Sequence, residues 1–146
     1  MKHLSLPFLF VYIQFLSMTL LIVSGPWLAT KGSLLTIELI GFLLGIVALL
    51  QMRPHLSNVL PLPKKGTRLI TNGVYRIIRH PMYLAIILVF APLVIDKYSL
   101  FRLSILIILS INLILKLNYE EKKLLIHYEG YRDYMKKSWR LLPYLY

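Results

Sequence analysis

Long uncharged runs separated by short polar breaks dominate this chain. Leu4 to Thr30 carries no charge, and Ser33 to Met52 carries only Glu38. A bilayer core about 30 Å thick needs roughly 20 helical residues to cross it, so the two runs predict spans over about 4–29 and 33–52. Gly25-Pro26 and Lys31-Gly32 mark the turn between them. The first apolar stretch is longer than the roughly 7–15 residues of a signal core, and no A-x-A-like site follows it. It is therefore expected to stay in the protein. Glu38 sits about a turn inside its run, where headgroup depth is the expectation, because a charge at the bilayer centre is far more costly. A polar stretch from Pro54 to Arg79 follows, punctuated by Pro54, Pro61, Pro63, Gly66 and Gly73, which discourage a continuous helix. His80 to Ile95 and Leu103 to Leu115 are again uncharged, but short, with Asp96-Lys97-Tyr98 turning between them. They predict a helical hairpin, with spans of about 80–96 and 99–118. Its second arm continues out of the membrane as a helical extension towards Tyr128, and Gly130 breaks or caps it. The expected fold is all-α, a single multi-pass transmembrane domain over residues 1–146 with about four spans and a cytoplasmic tail over 119–146.

Composition sharpens this picture. Of the 146 residues 58% are hydrophobic and the mean hydropathy is +0.67, too apolar for an ordinary soluble domain. Cysteine is absent, which excludes disulfides, thiolate metal sites and a cysteine nucleophile. The net charge of +11 flanks the apolar runs without forming a basic face, so nucleic acid is not the expected partner. Membrane lipids are. With the N-terminus inside, fourteen Lys and Arg fall in inside segments and three (Lys31, Lys97 and Arg102) in outside turns. That bias places both termini in the cytoplasm.

Chemistry is confined to two clusters. There is no Gly-rich phosphate loop, HExxH or GxSxG. His3, His55, His80 and His127 lack the spacing of a zinc site, so no metal is expected. The first cluster runs from Gly66 to Tyr83. Asn72-Gly73 reads as a turn, Arg76 and Arg79 as charges at the membrane surface, and His80-Pro81 as a helix start with proline in the first turn. Such a start aims free N–H groups and a positive dipole end at the interface, where a carboxylate or phosphate is welcome. Tyr75 and Tyr83 either wall an aromatic pocket there or form an interfacial belt; both readings stay open. The second cluster runs from Lys116 to Gly130. Lys116 and Glu120 share a helix face at i, i+4. Glu120 and Glu121 are balanced by Lys122 and Lys123 as in a solvated helix, yet two acids where a span leaves the bilayer call for a cationic or hydroxyl-rich ligand.

At these clusters the chain resembles the isoprenylcysteine carboxyl methyltransferases, within the integral membrane methyltransferases that include the phospholipid N-methyltransferases. The matching residues are Leu69-Ile-Thr-Asn-Gly-Val-Tyr75, Arg79-His-Pro-Met-Tyr83, Glu120-Glu121 with Leu124, Gly130-Tyr131, Tyr134 and Arg140-Leu-Leu-Pro143. They cover about the last 80 residues. The resemblance implies an S-adenosyl-L-methionine-dependent methyltransferase with its site at the cytosolic mouth of the bundle, and a lipidic or prenylated acceptor methylated on a carboxylate. A prokaryotic plasma membrane is the implied location. By position, Thr67, Arg68, Leu69, Ile70, Tyr75, His80, Pro81, Met82, Tyr83, Glu120 and Glu121 are the expected cofactor contacts. His80 and Tyr83 are the expected catalytic residues, with His80 also the candidate base for an amine acceptor. Lys116 takes the place of a substrate-contacting Arg, keeping the charge without the bidentate fork, and Ala85 stands where the family often has Gly. The alternatives are phospholipid N-methylation, an NADPH-dependent membrane reductase with a similar Arg-His-x-x-Tyr hairpin, and a non-catalytic membrane subunit.

Overall fold

The computed structural model describes residues 5–52 and 69–145. Five helices form among them: α1 (Ser5–Val23), α2 (Gly32–Met52), α3 (Pro81–Asp96), α4 (Leu100–His127) and α5 (Tyr131–Lys136). No strand is present among the described residues, only an isolated bridge between Ile78 and Trp139. α1, α2 and α4 are long and apolar enough to cross a bilayer, and α3 is a shorter apolar helix. Their outer faces carry Phe15, Leu43 and Ile111, each more than half exposed. A soluble bundle would place polar residues there; lipid contact explains apolar ones. The chain is an all-α integral membrane protein.

Breaks fall where backbone chemistry dictates. α1 stops at Val23, short of residue 29, because Gly25-Pro26 cannot extend it. α3 starts with Pro81 at its first position and His80 as the preceding cap residue, where the missing proline N–H is not needed. α4 starts at Ser99, whose hydroxyl accepts from the Arg102 N–H at 3.2 Å. It then runs without interruption past Lys116 and both glutamates to His127.

The helices pack as two pairs. α2 lies most closely on α3, and α1 on α4; the sequence neighbours α3 and α4 touch far less. Gly41 explains the first pair. A Cβ there would stand 2.8 Å from the Leu88 Cβ and 3.0 Å from its carbonyl carbon, so only glycine permits this approach. Gly45 faces Ala85 at ordinary contact distance one turn later. Small residues at a helix contact are the usual device in lipid, where burial of apolar surface drives little association. Polar links hold the second pair: the Asn112 amide donates to the Phe10 carbonyl at 3.0 Å and the Lys116 ammonium to the Gln14 amide oxygen at 2.9 Å.

At the end where α1 meets α2, a connecting loop is clasped by three charged side chains. Glu38, fully buried, accepts the Ala29 N–H at 2.9 Å. Asp96 accepts the Thr30 N–H at 2.8 Å and also its hydroxyl. Arg102, counted in the sequence among the outside turns, is instead only 2% exposed and donates to the Leu93 carbonyl at 3.0 Å, near the C-terminus of α3. A cation suits that position.

Candidate functional site

The candidate site lies at the other end and begins with a turn. Gly73 adopts φ +58°, a left-handed conformation that glycine tolerates without cost. A Cβ at Gly73 would also fall 2.2 Å from the Gln51 Nε2. The 3₁₀ turn Gly73–Arg76 that follows is pinned to the end of α2, the Val74 N–H donating to the Gln51 side-chain oxygen at 3.0 Å. The Asn72-Gly73 turn read from the sequence is therefore present. Tyr75 is carried inward and buried, its hydroxyl 3.7 Å from the Met52 sulfur. Burial, with the nearby Glu120 carboxylate adding to it, pushes the Tyr75 phenol up to about 12, so it remains a donor at any physiological pH.

The chain then enters α3 through a second anchoring. The Trp139 N–H donates to the Ile77 carbonyl at 2.8 Å, Arg79 N–H to the Trp139 carbonyl at 2.7 Å, and His80 N–H to the Arg140 carbonyl at 3.1 Å. Residues 77–80 are thus paired with 139–140. The Tyr134 hydroxyl adds a bond to the Tyr75 carbonyl.

Arg79 overturns its surface reading. Its side chain is 7% exposed and turns inward, Nε standing 2.8 Å from the Glu121 Oε1. Its Nη1 donates to the Met135 carbonyl at 3.0 Å and to the Ser138 carbonyl. Arg140 meets the other oxygen of Glu121 at 2.9 Å. Glu121 therefore sits between two guanidinium groups. Tyr131 packs close by, and its phenol is pushed up by burial and by the Glu121 carboxylate.

Glu120 is different. Its side chain is 16% exposed against 3% for Glu121, and it makes no ion pair with Lys or Arg among the described residues. The Tyr83 hydroxyl donates to its Oε1 at 2.5 Å. His80 stacks on Tyr83, ring centroids 5.4 Å apart and planes within 8°. The histidine ring lies between the acids, Nδ1 at 3.7 Å from Glu120 and Nε2 at 3.6 Å from Glu121. Its Nε2 is buried without a hydrogen-bond partner among the described residues. The Lys116 ammonium also stands over the Tyr83 ring, 5.1 Å from its centroid.

Of the expected site residues, the structure gathers Tyr75, His80, Tyr83, Lys116, Glu120 and Glu121. Pro81 is buried at the start of α3, and Met82 packs against the hydrophobic core. Leu69 and Ile70 are half-buried. Thr67 and Arg68 lie outside the described residues. Sequence reasoning missed Arg79 and Arg140 as partners of Glu121, and Gln14 as the partner of Lys116. The only signal for the first was a pair of acids needing two cations; nothing flagged Gln14. A groove of about 760 Å³ runs between α1 and α4, lined by Leu9, Ile13, Ile111, Leu115 and Lys122 among others. It includes none of the gathered residues except through their helix.

Two acids, a histidine and tyrosines thus converge at one end of a helical membrane protein. The chain is a member of the phospholipid methyltransferase family, whose model matches residues 14–130. No curated protein and no solved structure shows a significant match to it. Membership implies a donor of the S-adenosylmethionine type and a lipid acceptor.

Proposed function

We propose that this chain methylates a carboxylate on a lipidic, prenylated acceptor, using S-adenosyl-L-methionine at the cytosolic mouth of a prokaryotic plasma membrane. One observation carries the reading: two opposite charges flank Tyr83, with Glu120 on its hydroxyl and Lys116 over its ring. The residues present suit the donor. Glu120 offers an unneutralised carboxylate to an ammonium or to ribose hydroxyls. The first turn of α3 offers a positive dipole end to a carboxylate. Tyr75, Tyr83 and His80 offer aromatic walls, and the unpartnered His80 Nε2 a polar contact.

When bound, the donor supplies an electrophilic methyl on a sulfonium. The acceptor carboxylate oxygen forms the new bond to carbon, the carbon–sulfur bond breaks, and its electron pair stays on sulfur. No proton moves and opposite charges vanish, so water exclusion and alignment supply most of the acceleration, worth several kcal/mol in comparable systems. Lys116 holds the anion on one side of Tyr83. Arg79, Glu121 and Arg140 hold His80 and the start of α3 in place.

The family's description favours a second reading, phospholipid N-methylation. An ammonium acceptor must first lose a proton, and His80 is the group placed to take it. Two measurements on the detergent-purified protein decide. Titration calorimetry with S-adenosylhomocysteine and with NADPH tests the donor, and binding of NADPH alone overturns a methyltransferase. Labelled donor with N-acetyl-S-farnesylcysteine and with phosphatidylethanolamine vesicles tests the acceptor. A base-labile labelled methyl ester supports the carboxyl reading, and label confined to the amine overturns it.

A further inference from the structure

A lysine and a glutamate one turn apart on the same face of α4 ought to neutralise each other. Lys116 and Glu120 have that spacing, both side chains are long, and i, i+4 pairs of opposite charge attract. Yet they form no ion pair. Glu120 is held by Tyr83 at 2.5 Å, and the Lys116 ammonium is drawn away to α1, where its hydrogen-bond partner is the Gln14 amide oxygen at 2.9 Å. Lys116 and Gln14 are 7% and 9% exposed. A neutral amide in a buried setting holds an ammonium without cancelling its charge.

We infer that Gln14 is a positioning residue that keeps Lys116 apart from Glu120, so that the site holds one cation and one anion that do not pair with each other. This rests on the proposed function and deepens it. The anion serves the positively charged donor, and the cation selects an acceptor with an anionic head, a carboxylate rather than an amine. Gln14 is not needed to set the register of α1 on α4. Asn112 does that one turn away through the Phe10 carbonyl at 3.0 Å, and the Phe10 and Tyr119 rings pack beside it at 6.0 Å.

The test is a set of Gln14 variants assayed for S-adenosylhomocysteine affinity and for KM towards N-acetyl-S-farnesylcysteine. In Gln14→Leu the ammonium loses its tether and falls onto Glu120, so both the inhibitor Kd and the acceptor KM rise, each by about 10-fold, the worth of one charge-assisted hydrogen bond. In Gln14→Glu the new carboxylate neutralises Lys116 in place, so the acceptor KM rises while inhibitor affinity stays near wild type. Adding Lys116→Met to Gln14→Leu frees Glu120 and restores inhibitor affinity, with the acceptor KM still high. Asn112→Leu controls for the seam: it lowers the melting temperature without this pattern. If Gln14→Leu leaves both constants unchanged, or if the double variant does not recover inhibitor affinity, the inference is overturned. A wild-type protein that does not bind S-adenosylhomocysteine overturns the proposed function instead.

Discussion

Both ends of this bundle bury charge, and they use it differently. At the loop end, Glu38, Asp96 and Arg102 each bond a backbone group, of Ala29, Thr30 and Leu93, and Asp96 takes the Thr30 hydroxyl as well. Those contacts close a connection and cap a helix. At the site end the charges are spent on one another, Glu121 on Arg79 and Arg140, and Glu120, His80 and Lys116 gather around Tyr83. A buried ion pair is a weak source of net stability but costly to leave half-made. The Glu121 cluster therefore works as a rigid mount, on which neighbouring groups are held with capacity to spare. At the loop end the spare capacity is shut inside: the Glu38 Oε1 and the Arg102 Nε and Nη1 are buried without a hydrogen-bond partner among the described residues.

The largest effect follows from breaking the mount. Glu121→Ala leaves two guanidinium groups facing a void, at a cost of about 3 kcal/mol or more. The melting temperature in detergent drops sharply, and S-adenosylhomocysteine binding is lost with it. Glu120→Ala is the sharper cut. It abolishes measurable inhibitor affinity, while the melting temperature moves by no more than a few degrees, since no Lys or Arg among the described residues pairs with Glu120. If affinity survives this substitution, the two adjacent acids have the reverse roles. At the loop end the effects on stability and binding separate the other way. Gly25→Ala would place a methyl 1.3 Å from the Arg102 Nη1; the guanidinium must leave the Leu93 carbonyl, at about 1–3 kcal/mol, with inhibitor affinity retained. Thr30→Val is the smallest change. It removes the hydroxyl bonds to the solvent-facing Asp96 and leaves the Thr30 N–H bond intact, so a slight fall in melting temperature is the whole effect. Were either loop-end substitution to weaken inhibitor binding more than Glu120→Ala does, the division of labour between the ends would fail.

Much of the fold was legible in advance. The apolar runs, the Gly25-Pro26 break, the Asn72-Gly73 turn and the His80-Pro81 helix start all act through backbone sterics or through the length of chain a bilayer demands, and these are local. The motif positions were legible by resemblance, and the structure brings Tyr75, His80, Tyr83, Lys116, Glu120 and Glu121 together. Less legible was what each charged residue faces. Arg79 was expected at the membrane surface and is folded inward; Arg102 was expected in an outside turn and is buried on a helix end. Glu120 and Glu121 are neighbours in the chain and share His80, yet Glu121 pairs with two arginines and Glu120 with the Tyr83 hydroxyl, because consecutive helical residues point about 100° apart and only the packing partners decide what each one meets.

By itself the sequence determined where helices start and stop, that they lie in lipid, and which residue types were on hand for chemistry. Preferences of this kind are settled within a few residues, by dihedral limits and by transfer from water to membrane. The tertiary structure alone decided that α3 sits on α2 and α4 on α1, that Glu121 is enclosed while Glu120 is open, and that Gln14 holds Lys116 from 102 positions away. Such pairings depend on side chains meeting across helices that are distant in the chain, and no local pattern carries that information.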